Sequence, residues 1–173
     1  MTPLGIPVYT AVSLGGVTVG LSLTAWDVTR WWATHKKRLA AKALKDLAPV
    51  VLCMLYGALL VLSAGGIIGA AADWSLWGSN QVGEVGLVYG VGGTSPDVTR
   101  TSQLALTPGG HSVVIILTVI VAAVTSRRGI NWRFVRGILA GISLGLAKSI
   151  AGAVGYLAAP VVSTAGDYVA GLL

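Results

Sequence analysis

Residues 135–161 read VRGILAGISLGLAKSIAGAVGYLAAPV, an apolar run whose only charges are Arg136 near its start and Lys148 near its middle. A run of this length exceeds the about 20 residues that span a hydrocarbon layer roughly 30 Å thick at about 1.5 Å per helical residue. Within it Gly137, Gly141, Gly145, Ser149 and Ala153 recur every four residues. On a helix they form one stripe of small side chains, along which a second helix can approach closely where lipid offers no hydrophobic drive for association. Shorter pairs, Gly16 with Gly20 and Gly65 with Gly69, are expected by chance in a chain with 24 glycines and carry less weight.

Three more apolar blocks lie upstream, so the predicted spans are 4–26, 47–72, 108–126 and 135–161. The composition agrees. Of the 173 residues 54% are hydrophobic and only 10% charged, against about 25% charged in soluble domains. Four blocks and their connections use up the chain, leaving no room for a separate soluble module. The expected fold is therefore an all-α, four-transmembrane-helix bundle in a single integral membrane domain. Thr107-Pro108 reads as a helix start, a capping hydroxyl before a proline at the first helical position. Block four is expected to break at Pro160. Residues 73–107 read as one irregular extracytoplasmic loop, whose Gly-rich stretch 81–93 is either a re-entrant segment or a short hairpin. No internal repeat is evident.

Charge sets the expected orientation. Residues 27–46 carry Arg30, Lys36, Lys37, Arg38, Lys42 and Lys45 against two aspartates, and Arg127, Arg128, Arg133 and Arg136 follow block three. The loop after block two carries Asp73, Glu84 and Asp97 against Arg100, and the tail only Asp167. The positive-inside rule puts both basic loops in the cytoplasm and both termini outside, with Trp26, Trp31, Trp32, Trp74, Trp77 and Trp132 marking the interfaces. Orientation accounts for the net charge of +6 without nucleic acid. The membrane-surface basic residues Arg30, Lys36, Lys37, Arg38, Lys42, Lys45, Arg127 and Arg128 are expected to attract anionic lipid head groups. A bacterial cell membrane is the expected location.

Lys148 is the candidate intramembrane charge. At about 100° per residue it falls within roughly 60° of Gly141 and Gly145, on the packed side of the helix. A lysine at mid-bilayer costs about 2.5–3.5 kcal/mol, so it calls for a hydroxyl, a carbonyl, water or a partner chain. Two accounts stand side by side: a cation lining a pathway, or a long side chain snorkelling to one surface.

Catalytic and metal chemistry find little support. Gly141-Ile142-Ser143-Leu144-Gly145 matches G-x-S-x-G, but a nucleophile elbow needs a strand-turn-helix setting and a downstream histidine, and no histidine follows. His35 and His111 have no second ligand at metal spacing, and Cys53 is the only cysteine. No catalytic residue, cofactor or metal is expected. The expected role is a structural or assembly subunit of a larger membrane complex or homo-oligomer, with the lipid bilayer and other membrane subunits as partners. The alternative is a pore or channel. A secondary transporter is disfavoured, because four spans and one buried charge leave little room for a substrate site unless the protein dimerises. In size and layout the chain resembles the small multi-pass proteins of bacterial mobile elements, such as holins and plasmid-spread proteins. The ending Gly171-Leu172-Leu173 departs from the charged tail common in holins.

Overall fold

The computed structural model describes residues 11–35, 47–63, 66–99, 106–129, 131–147 and 150–171. Helix α1 covers Leu14–His35, α2 Ala48–Leu62 and α3 Gly66–Val85, the last prolonged by a π-helical turn, Gly86–Gly90; α4 covers Pro108–Arg128, α5 Trp132–Gly145 and α6 Ile150–Ala170. The described residues are all-helical: extended chain pairs only as isolated bridges, Ser13 with Asp97 and Thr99 with Ala147. Among them one helix, α4 over Pro108–Arg127, is by itself long and apolar enough to cross a membrane. Helices α2 and α3 meet that criterion only as a pair, and their axes turn by 106° at the break.

The helices depart from the apolar blocks in four ways. Helix α1 begins at Leu14 and runs through the first part of the basic segment to His35. Block two ends as a helix at Leu62 and restarts at Gly66, and block four ends at Gly145 and restarts at Ile150. Pro160 breaks nothing: α6 passes through it to Ala170. The expected irregular loop is helical as far as Gly90; of its glycines there, Gly83 lies against the backbone of Gly15, while Gly78, Gly86 and Gly90 face open space.

The layout discloses a repeat that the sequence hides: an uninterrupted helix, then a helix broken partway, twice over. The equivalences extend to single contacts. Ser13 caps α1, its Oγ accepting from the Gly16 amide at 3.1 Å, and Thr107 caps α4, its Oγ1 accepting from the Gly110 amide at 3.2 Å. Asn80 of α3 returns to the first cap, its Oδ1 accepting from the Ser13 amide at 3.1 Å; Ser163 of α6 returns to the second, its Oγ accepting from the Thr107 amide at 3.4 Å. A methyl group at Gly15 would collide with the backbone of Gly83, and one at Gly109 with the backbone of Gly166. The shared motif is thus Ser/Thr-x-Gly-Gly at the start of each half, with Asn/Ser-x-x-Gly-Glu/Asp near its end, at Asn80–Glu84 and Ser163–Asp167.

Helix N-termini leave backbone donors open, and in α1 the first three are met. The Leu14 amide donates to the Pro96 carbonyl at 2.8 Å, Gly15 to Ser95 Oγ at 3.0 Å, and Gly16 to Ser13 Oγ. Segment 93–99 therefore ties the start of α1 to the end of α3. Loss of a capping hydroxyl costs about 1 kcal/mol. Thr107→Ala is expected to cost about that much, and Ser13→Ala the same or less because Ser95 and Pro96 still hold the α1 terminus. Thermal unfolding of each variant in detergent checks this, and a larger loss at Ser13 would contradict the division of labour.

Candidate functional site: the glycine crossing and the charged helix ends

Helices α2 and α5 run parallel and nearly touch. Gly137 faces Cys53 and Val50, Gly141 faces the backbone of Met54, and Gly145 faces Ala58 and Val61, while from the other side Gly57 faces the Ile138 carbonyl. The closest approaches, at Gly57 and Gly141, are backbone against backbone. All four glycines are buried, so the first part of the predicted stripe does pack a helix, but that helix is α2 of the same chain. The stripe does not continue as one helical face. Helix α5 ends at Gly145, Ala153 belongs to α6, and Ser149 and Lys148 lie outside the described residues.

Hydroxyls and small residues fill the space around the crossing. Ser143 is fully buried on α5, and its Oγ donates to the Leu139 carbonyl at 2.9 Å and meets Ser79 Oγ of α3 at 3.0 Å. Bonded in this way, Ser143 is a helix-packing residue, and among the described residues no histidine or carboxylate accompanies it to form a hydrolase site. Tyr56 of α2 reaches α4, its hydroxyl donating to Thr118 Oγ1 at 2.8 Å. Among the described residues no group of three or more His, Cys, Asp or Glu could hold a metal ion.

A second feature escapes sequence inspection. Asp27 of α1, 4% exposed, meets Arg136 of α5, 22% exposed, with Nη2 3.1 Å from Oδ1. The geometry is that of an ion pair without a well-directed hydrogen bond, and Arg136 Nε is buried with no hydrogen-bond partner. Asp27 stands among basic residues as one of two acids, the only signal the sequence offers, and its partner lies more than a hundred positions away. The pair fixes a register. Gly20 of α1 lies against Leu144 and Ser143, and Asp27 against Arg136, so α1 and α5 are antiparallel. Arg30 and Arg133 are each one turn beyond the pair on the same helix faces, toward the same end of the molecule. Both are exposed, as is Arg127 at the end of α4; Arg128 is the last residue of α4. Lys36, Lys37, Arg38, Lys42 and Lys45 lie outside the described residues.

Comparisons with protein families, with curated proteins and with solved structures find no match to this chain.

Proposed function

We propose that the chain is a non-enzymatic multi-pass membrane protein, with four membrane passages and both termini outside the cytoplasm, that serves as a structural or assembly subunit of a larger membrane complex. One observation carries the membrane part of this reading: the outer surface of the helices is rich in large apolar side chains. Large apolar side chains face outward on every helix, including Leu21 of α1, Leu52 of α2, Ile67 of α3, Val119 of α4, Trp132 of α5 and Leu157 of α6. The interior joins an apolar core, with Leu59, Leu76 and Leu144 in it, to close-packed glycines and the buried polar residues Ser13, Asp27, Ser63, Asp73, Ser143 and Ser163. Soluble proteins rarely expose continuous apolar area beyond a few hundred Å², whereas small and hydroxylated residues at helix contacts with apolar ones outside are what a bilayer selects.

Orientation gains support from the ion pair, because it brings the basic end of α1 and the basic start of α5 to one side, as the positive-inside rule requires. The subunit reading is favoured over a pore because the described part of the small-residue stripe, Gly137, Gly141 and Gly145, already packs against α2 of the same chain. Contacts with other proteins then fall to outward faces such as Ile115, Ile116, Val119 and Ile120 of α4, each more than half exposed.

The test is the mass of the native complex extracted in detergent, with every co-purifying chain identified. A stoichiometric complex with other membrane proteins is expected. A homo-oligomer alone would replace this reading with the pore, and recovery in the alkaline-carbonate supernatant would remove the membrane itself. Orientation is checked separately: in a Cys53→Ala background, Lys37→Cys should resist an impermeant maleimide in intact cells and react after lysis.

A further inference from the structure

Between α1 and the far end of α3 lies an open groove of about 750 Å³. Val19, Leu23 and Trp26 of α1 line one wall; Val82, Leu87 and Val91 line the other, and Arg136 closes one end. Of the two hydroxyls in its lining, Thr18 is spent on the Gly15 carbonyl at 2.7 Å. The wall on the α3 side includes Gly86 and Leu87 of the π-helical turn, a backbone form found mostly as single turns and often at functional sites. Gly86 leaves a gap in that wall, and an added Cβ there would meet nothing within 4 Å. The groove is therefore a space that the sequence keeps open, since the residue lining it there could be larger without collision.

The two ends differ in charge. From Thr18 to Trp26 the groove follows α1 for about 12 Å at about 1.5 Å per residue, ending at Arg136. Beyond it the register of the antiparallel helices sets Arg30 opposite Arg133. Among the described residues, Asp27 and Arg136 cancel each other and Arg30 and Arg133 add two positive charges, next to the tryptophans Trp26 and Trp132. An apolar slot leading to a cationic, tryptophan-flanked end has the chemistry of one lipid: acyl chain in the slot, phosphate at the arginines.

We propose that this groove binds one anionic glycerophospholipid of the cytoplasmic leaflet, an acyl chain lying between α1 and the π-helical turn and the phosphate meeting Arg30 and Arg133 beside the Asp27–Arg136 pair. The proposal rests on the membrane reading above. It names a partner at a specific place, where that reading needs only a surrounding bilayer.

Native mass spectrometry of the delipidated protein in detergent, titrated with palmitoyl-oleoyl phosphatidylglycerol or with the phosphatidylcholine of the same chains, tests it. Wild type is expected to hold one phosphatidylglycerol at least tenfold more tightly than phosphatidylcholine. Gly86→Phe fills the slot without touching a helix contact and should abolish that preference for the first lipid bound. Arg30→Gln with Arg133→Gln should weaken phosphatidylglycerol about tenfold and leave phosphatidylcholine unchanged, while keeping the Asp27–Arg136 pair. Equal binding of the two lipids by wild type, or undiminished phosphatidylglycerol binding by Gly86→Phe, overturns the proposal and leaves the membrane reading standing. A protein that needs no detergent to stay in solution overturns the membrane reading first.

Discussion

Gly141→Ala is expected to destabilise the protein by about 3 kcal/mol, the upper end of the range for overpacking a tight interior. The single methyl has no space to enter: it would collide with the Met54 carbonyl oxygen and the Met54 Cα behind it. Those are backbone atoms of a helix and cannot rotate aside, so α2 and α5 must separate along their length. The neighbouring glycines set an internal scale. At Gly137 the nearest atom is the side-chain Cβ of Cys53 at 3.0 Å, and at Gly145 it is a Val61 methyl at 2.8 Å. Both obstacles are wholly or partly side chain, so Gly137→Ala and Gly145→Ala should cost less than Gly141→Ala. Gly57→Ala, aimed at the Ile138 carbonyl, should match Gly141→Ala. Gly78 of α3, where an added Cβ meets nothing within 4 Å, is the control. Gly78→Ala should be neutral or stabilising by up to about 1 kcal/mol, because alanine restricts the unfolded chain and favours a helix. Unfolding midpoints of the five variants in one detergent give the ranking, and equal losses at Gly137 and Gly141 would refute the backbone crossing.

The same crossing explains which parts of the fold were legible. Apolar blocks are visible because hydropathy needs only composition over a window, and the start of α4 is visible because Thr107-Pro108 is local chemistry, borne out by the Thr107 cap. The stripe of Gly137, Gly141 and Gly145 was legible as a contact surface, since helical spacing alone defines it. What it contacts was not: small residues say that something comes close, without saying whether it is another helix of the chain or another chain. The helix breaks after Leu62 and Gly145 fall inside the apolar blocks, where the small residues Ser63, Gly65 and Gly66 and the single charge of Lys148 are too slight a dip in hydropathy to divide a span. The repeat stayed hidden for a related reason. Its two halves share residues only where backbones touch or caps form, at Ser13, Gly15, Asn80 and Gly83 in one and Thr107, Gly109, Ser163 and Gly166 in the other. Outward positions are free to exchange one apolar residue for another, and they outnumber the contacts. The Asp27–Arg136 pair was illegible because long-range pairing of charges leaves no local pattern.

That pair yields the sharpest asymmetry. Arg136→Leu is expected to cost about 4 kcal/mol and Asp27→Leu about 3 kcal/mol, both within the range for removing one partner of a buried ion pair. The order follows from side-chain length and position. Deprived of Arg136, the Asp27 carboxylate stays 4% exposed on a short stem inside the helix contact, with no means of reaching water. Deprived of Asp27, the arginine is already 22% exposed and has a long apolar stem on which to carry its charge outward. The double variant Asp27→Leu with Arg136→Leu should be more stable than either single one, since apolar replacement of both partners removes the stranded charge together with its desolvation cost. A double-mutant cycle by denaturant unfolding in micelles reads this as a coupling above about 4 kcal/mol between sites that meet nowhere in the sequence. Additive single losses would mean that α1 and α5 do not meet at Asp27 and Arg136, and with that contact would go the antiparallel register that gathers the basic residues at one end of the molecule.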